Sequence, residues 1–445
     1  MIQECSAFFV DCPYGNSMKP RTHAIHGGFS GDPETGAGSV PIYYTAAYTY
    51  PTAEGLADVF AGRALGDVYS RISNPTTQVL EQRLTALESG VDGPATGCIA
   101  TSSGMAAITT ALTGLLRAGD GILSTPGIFG GTVSLFTNTL SRFGIETTFA
   151  DPDDATGFAA ALRANTKVIF AESISNPGMA VADIPALSRL ARERNIPLVV
   201  DNTLTPLPLL RAGALGADLV VHSTTKYING HGTAIGGAII DTGNYDWKNG
   251  AFPDLSQLAR RAGQMAFLAH LRKTIYRDLG GCPAPMNSFL ILQGLETLDI
   301  RMRLHCANAQ RLATHLRSHP MVHWVNYPGL SDSAYRKRTD ELLAGLGGGV
   351  LTFGLDSKEA ARRFINALTL AKNMTNLGEA KTLVLHPAST IFQEYTPAER
   401  EQMGVPEDML RVSVGIDDVD DIIEDFEQAM TKAGATSEGL DLKAK

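Results

Sequence analysis

Cysteine is scarce in this chain of 445 residues. Its five thiols, Cys5, Cys12, Cys98, Cys282 and Cys306, are odd in number, scattered and free of any CxxC pair. That excludes a disulfide framework and offers no zinc-ligand spacing. No stretch approaches the roughly 20 apolar residues of a membrane span, and no basic start leads into a long apolar core. The chain is therefore expected to remain unexported, in a reducing cytoplasm. Positive charge is also short: 37 Lys and Arg against 46 Asp and Glu leave a net charge of -9, with no basic cluster to meet a phosphate backbone. Nucleic acid is not an expected partner. Three further absences narrow the chemistry, since neither G-x-G-x-x-G, G-x-x-x-x-G-K-[ST] nor H-E-x-x-H occurs. His231, alone in Gly230-His231-Gly232, reads as structural, and no metal is expected.

The length calls for two or three packed units, and 44% hydrophobic with 19% charged residues is a globular composition. Residues 1–20 lack sustained periodicity, and 21–62, rich in Gly, Pro, Thr and Tyr, read as an irregular arm that lies on another subunit. From 63 to 285 short apolar runs alternate with amphipathic stretches, as in Lys167-Val168-Ile169-Phe170 and Leu198-Val199-Val200. This is the pattern of an α/β domain with a mainly parallel sheet. Residues 289–316 have the spacing of one long helix leading into a smaller α+β domain over 286–445, whose last ten residues look frayed.

The apolar runs end on Ser102-Ser103-Gly104, Glu172-Ser173, Asp201-Asn202 and His222-Ser223. Ligands of open α/β sheets sit at the carboxyl ends of strands, so these residues are expected to converge on one crevice. Lys226 follows such a strand in His222-Ser223-Thr224-Thr225-Lys226, with hydroxyls beside the amine that suit an anionic phosphate. Asp201 ends the neighbouring strand, where an aspartate can face a cationic ring nitrogen. A lysine and an aspartate so placed are the pair that pyridoxal phosphate needs. The helix starting near Ser103-Gly104-Met105 adds unsatisfied N–H groups and a positive dipole end. Each feature has a plain structural counterpart: serine caps many helices, strand-end aspartates cap the next helix, and surface lysines are solvated. Their succession on adjoining strands favours the cofactor.

From about Thr22 to Met430 the sequence resembles the Cys/Met-metabolism pyridoxal-phosphate enzymes, of the fold type shared with aspartate aminotransferase. The phrases that carry the resemblance are Tyr69-Ser70-Arg71-Ile72-Ser73-Asn74-Pro75-Thr76, Ser102-Ser103-Gly104-Met105-Ala106-Ala107, Val200-Asp201-Asn202-Thr203, His222-Ser223-Thr224-Thr225-Lys226-Tyr227, His386-Pro387-Ala388-Ser389 and Arg411-Val412-Ser413-Val414-Gly415. The resemblance implies Lys226 as the Schiff-base lysine and Asp201 as the partner of the ring nitrogen. It also implies Ser103, Gly104, Met105, Ser223 and Thr225 at the phosphate, with Tyr69 and Arg71 reaching it from a neighbouring subunit in a homotetramer of dimers that share active sites. Asn176, Thr382 and Arg411 would hold the amino-acid substrate.

Within the family, 245–263, Arg277-Asp278-Leu279-Gly280, Gln293-Gly294-Leu295-Glu296-Thr297-Leu298 and Lys381-Thr382-Leu383 resemble the O-acetylhomoserine sulfhydrylases. The cofactor-stacking position, often Tyr, is Phe129, and the Cys of many methionine γ-lyases is replaced by Gly131. The activity implied is replacement of the acyl group of O-acetyl-L-homoserine by sulfide, giving homocysteine and acetate. The alternatives are an O-succinylhomoserine sulfhydrylase, a methionine or cystathionine γ-lyase, and a binding protein that has lost catalysis.

Overall fold

The computed structural model describes residues 19–89, 95–207 and 209–434. The expected N-terminal tail up to residue 18, Cys5, Cys12 and the frayed C-terminus thus lie outside the described residues. By contact the chain divides into two compact units. One holds the residues up to Thr125, Ser134–Ser173 and Asp183–Leu298; the other holds Pro126–Val133, Ile174–Ala182 and the residues from Asp299. Two short segments of the first stretch therefore group with the C-terminal unit.

The first unit carries seven strands: β1 (Gly97–Thr101), β2 (Gly121–Ser124), β3 (Glu146–Phe149), β4 (Thr166–Glu172), β5 (Leu198–Asp201), β6 (Leu219–His222) and β7 (Gly237–Asp241). They form one sheet in the order β1-β7-β6-β5-β4-β2-β3. The pairs from β6 through β3 are parallel, while β7 runs against both β6 and β1. Two reversals bring β1 back to the direction of β6, so Thr101, Glu172, Asp201 and His222 all end at one edge. Strands β4 to β7 are continuous apolar runs because helices cover both faces; Ile169, Val199, Val220 and Ile239 are fully buried. The edge strand β3 carries Glu146-Thr147-Thr148 instead, as suits a strand exposed on one side.

The second unit adds β8 (Trp324–Asn326), β9 (Val350–Gly354), β10 (Lys372–Asn373), β11 (Leu383–Leu385) and β12 (Met409–Ser413) in the order β10-β11-β12-β9-β8. Only β10 and β11 pair in parallel. Along β12 the period of two sends Leu410 and Val412 into a core with Phe353, Phe364 and Phe426, and turns Arg411 to the other face. Phe364 meets Phe426 at 5.2 Å and Phe353 at 5.7 Å, both edge to face.

The single helix expected over 289–316 is two, Pro285–Glu296 and Leu298–Arg317. At Thr297 the backbone leaves the helical region (φ -106°, ψ 5°), and its N–H closes a tighter turn on the Gly294 carbonyl at 3.3 Å. Periodicity does not register such a break, because the apolar face continues through it. Among the described residues no helix is long and apolar enough to cross a membrane.

Candidate active site

In the first unit, the polar residues at the carboxyl edge lie at the surface of a buried framework. Ser103, Gly104, Met105, Asp201, Ser223, Thr225 and Lys226 are half-buried, while Ser173, Asn202, Thr205 and Thr224 beside them are buried.

The helix Gly104–Leu115 begins immediately after β1, capped by the Ser103 hydroxyl, which accepts the Ala106 N–H at 3.0 Å. The N–H groups of Gly104 and Met105 have no preceding turn to accept them. This helix start is pressed against Ser223: a Cβ at Gly104 would stand 2.6 Å from Ser223 Cβ and 2.9 Å from its Cα. Only glycine permits that approach. Two backbone donors, a dipole end and a hydroxyl thereby meet in one place, and this is a fit for a phosphate. The Thr225 hydroxyl exchanges bonds with Gly236, accepting its N–H at 3.0 Å and lying 3.1 Å from its carbonyl. That carbonyl also takes the Thr225 N–H at 3.3 Å, so the hydroxyl proton can turn to an anion without orphaning it.

Asp201 closes β5 between its register partners Glu172 on β4 and Val221 on β6. Burial pushes its carboxyl up to about 6, and the Thr203 hydroxyl and N–H hold it from rising further. Both Thr203 bonds fall on Oδ1, at 2.5 and 3.0 Å, which leaves Oδ2 for a cationic partner. The next residue after β6's Val221, His222, is buried and kept neutral, its pKa pushed down to about 4 by burial. Lys226 follows in a turn whose N–H bonds the Ser223 carbonyl at 3.2 Å, so the amine and the phosphate seat are built on one short loop. His231 has its Nδ1 2.6 Å from the Asn229 carbonyl, a local structural bond.

Tyr69 and Arg71 lie exposed on the same unit. The guanidinium sits 5.3 Å from the Tyr69 ring centre and donates to the Arg277 carbonyl. The segment after Arg277 returns to the sheet edge, where the Gly281 carbonyl takes the Ser102 N–H at 2.7 Å.

In the second unit Arg411 is 2% exposed, with Nη1 on Asn176 Oδ1 at 3.2 Å and Nη2 on the Thr375 and Asn376 carbonyls at 3.0 and 3.2 Å. Arg411 and Asn176, 235 positions apart, are thus brought together. Thr382 is not joined to them. Its buried hydroxyl donates to Asp417 at 2.9 Å and accepts the Gly415 N–H at 3.0 Å, fastening the turn after β12. Phe129 precedes the short helix Gly130–Ser134, whose first turn it caps by accepting the Thr132 N–H at 2.8 Å. Its ring leans over Gly131, where a Cβ would meet the ring at 2.5 Å.

Thr203 and Thr205 are not singled out by the sequence pattern; the Thr205 hydroxyl lies 2.8 Å from Ser173 Oγ and 2.6 Å from Asn202 Oδ1. The available signal was the clustering of Asn202, Thr203 and Thr205 just past a strand end.

The family description "Cys/Met metabolism PLP-dependent enzyme" matches residues 21–431. The chain belongs to that family. An O-acetyl-L-homoserine sulfhydrylase of Leptospira meyeri is 40% identical over 94% of this chain and 99% of its own length. A homocysteine synthase of Schizosaccharomyces pombe is 42% identical over 93% and 98%. A solved O-acetylhomoserine (thiol)-lyase of Campylobacter jejuni, carrying a pyridoxyl-lysine phosphate, superposes with a TM-score of 0.88 at 36% identity, over 93% of this chain and all of its own. As a member of the family the chain is an enzyme whose cofactor is pyridoxal 5'-phosphate, acting on a small-molecule substrate. Its residues fit that cofactor: the Gly104–Ser223 cradle has the donors a phosphate would need, and Asp201 Oδ2 suits a protonated ring nitrogen.

Proposed function

We propose that the chain replaces the acetoxy group of O-acetyl-L-homoserine with sulfide, giving homocysteine and acetate. Lys226 Nζ would carry the cofactor, Asp201 would pair with its ring nitrogen, and Ser103, Gly104, Met105, Ser223 and Thr225 would hold its phosphate. When bound, pyridoxal phosphate supplies an electron sink for charge developing at the substrate Cα. The remaining work falls to the chain. Arg411, oriented by Asn176 and the 375–376 carbonyls, offers the substrate carboxylate a planar fork. Lys226 Nζ, as a free amine, would take the Cα proton and help remove one from Cβ, so that the Cγ–O bond can break with acetate leaving; once hydrosulfide has formed the Cγ–S bond, protons return to Cβ and Cα. Thr382 is assigned to the turn after β12 rather than to substrate.

Phe129 carries the choice of leaving group. Its ring gives an aromatic contact and no hydroxyl proton. A departing thiolate benefits from protonation, while a carboxylate, with a reference acidity near 4 against about 8.5 for a thiol, leaves without it. The relatives named for O-acetylhomoserine chemistry support the same choice. We further propose a cytoplasmic homotetramer of dimers that share active sites, in which Tyr69 and Arg71 serve a neighbour's phosphate.

The test is a panel of O-acetylhomoserine, O-succinylhomoserine, cystathionine and methionine, each with and without sulfide. Homocysteine formed fastest from O-acetylhomoserine with sulfide supports the proposal; faster release of methanethiol from methionine overturns it. Mixing inactive Arg71→Ala and Lys226→Ala chains should restore activity if sites are shared, and no rescue would place Arg71 in its own chain's site.

A further inference from the structure

We infer that Thr203 is a positioning residue for the cofactor: its hydroxyl couples the acid at the ring nitrogen to the backbone of the phosphate seat. The inference rests on the assignment of Asp201 and Ser223 above, and goes beyond it because Thr203 touches neither the lysine nor the phosphate motif in sequence.

The bond directions are fixed by chemistry. The Ser223 N–H can only donate, and it donates to Thr203 Oγ1 at 2.8 Å. A carboxylate can only accept, and Asp201 Oδ1 lies 2.5 Å from the same oxygen. A hydroxyl has one proton, so the order is Ser223 N–H to Thr203 O–H to Asp201. Such chains polarise one another, each link strengthening the next. Thr203's own N–H adds a second bond to Oδ1 at 3.0 Å, so the whole arrangement gathers on one carboxylate oxygen and orients the other.

The hydroxyl opposes burial. Burial raises the Asp201 carboxyl, and the Thr203 hydroxyl is the largest influence lowering it. The other titratable groups nearby are Glu172, its register partner on β4, His222 at the end of β6, kept neutral by burial, and Lys226 on the following turn. Without the Thr203 hydroxyl the carboxylate should be harder to ionise, and an unionised Asp201 cannot pair with a protonated ring nitrogen.

The measurement is retention of pyridoxal phosphate by the full-length holoenzyme, dialysed to equilibrium between pH 5.5 and 8. One charge-assisted hydrogen bond corresponds to about one pKa unit. Raising Asp201 from about 6 by that much should weaken retention in Thr203→Val about eightfold at pH 5.5 and less than about twofold at pH 8. The cofactor's own titration cancels in the ratio to the native chain. Thr203→Ser, which keeps the hydroxyl, should stay within about twofold throughout. If Thr203→Val does not fold, Thr203→Ala gives the same readout. A loss independent of pH, or an equal loss in Thr203→Ser, overturns the inference. Asp201→Ala separates the two levels. If it leaves retention unchanged the site assignment itself fails, whereas if it releases the cofactor and Thr203→Val does not, only the role of Thr203 fails.

Discussion

Gly104→Ala sets two opposed effects against each other, and the distances decide between them. Gly104 is the first residue of its helix and does not lie in the left-handed region. Alanine would by itself favour the folded chain there by about 0.4–1 kcal/mol through a less flexible unfolded state. Against this, the new methyl carbon would stand 2.6 Å from Ser223 Cβ, 2.9 Å from Ser223 Cα and 3.0 Å from its Oγ. The hydroxyl can rotate away, but Cα is main chain. Carbon pairs settle at roughly 3.5–4.0 Å, so the helix start must back away from Ser223 by about 1 Å. Overpacking of that kind costs about 1–3 kcal/mol, which exceeds the helical gain. The same retreat separates the donors proposed to hold the phosphate. Losing one charge-assisted hydrogen bond, worth about 1.5–3 kcal/mol, weakens cofactor retention about 10- to 150-fold. Dialysis of the holoenzyme against cofactor-free buffer, with a thermal melt alongside, measures both. Retention at the native level, or a raised Tm, would refute the placement of the phosphate between Gly104 and Ser223.

Arg411→Lys should raise KM for the amino-acid substrate tenfold or more with a smaller change in kcat, because an ammonium cannot reproduce the planar fork held by Asn176; steady-state kinetics with KM unchanged would contradict this. Burial pushes Asp218 and Asp241 up to about 7, so each keeps a proton in the folded chain that the unfolded chain releases above about pH 4. Their stabilisation is complete below that pH and is lost as pH rises to about 7; between pH 5.5 and 8 the native chain should lose about 2 kcal/mol more than Asp241→Asn, and equal slopes in pH-dependent unfolding would contradict it. Phe129→Tyr should shift the ratio of acyl-ester to thioether turnover toward thioethers, whereas an unmoved ratio in competition assays would show that Phe129 does not select the leaving group. Gly131→Ala should displace the Phe129 ring, since its Cβ would lie 2.5 Å from the ring, and so lower turnover of every substrate; native rates would show that the ring's position does not matter.

The strands and their polar ends were legible because a strand buried on both faces must be apolar until it reaches the edge, and the residues after it then serve chemistry. The place of Asp201, Ser223 and Lys226 at that edge could be read on that ground. The Gly104–Ser223 contact could not, because it depends on β1 and β6 running the same way with β7 between them, which no local pattern records. Thr203 escaped for a related reason: hydroxyls past strand ends are common, and only the distance to both Asp201 and the Ser223 N–H distinguishes this one. The Arg411–Asn176 pair needed the resemblance, since alternation places Arg411 on a face without saying what shares it. The helix break at Thr297 and the grouping of Pro126–Val133 and Ile174–Ala182 with the C-terminal unit are contact properties, invisible to periodicity.

The proposed reaction is replacement at Cγ with a carboxylate as leaving group. It is tested most directly by supplying the holoenzyme with O-acetyl-L-homoserine and isotopically labelled sulfide, and counting labelled homocysteine and acetate by mass spectrometry. Equal amounts of the two are expected, dependent on sulfide and abolished in Lys226→Ala. Acetate released without labelled homocysteine, or turnover surviving in Lys226→Ala, would contradict it.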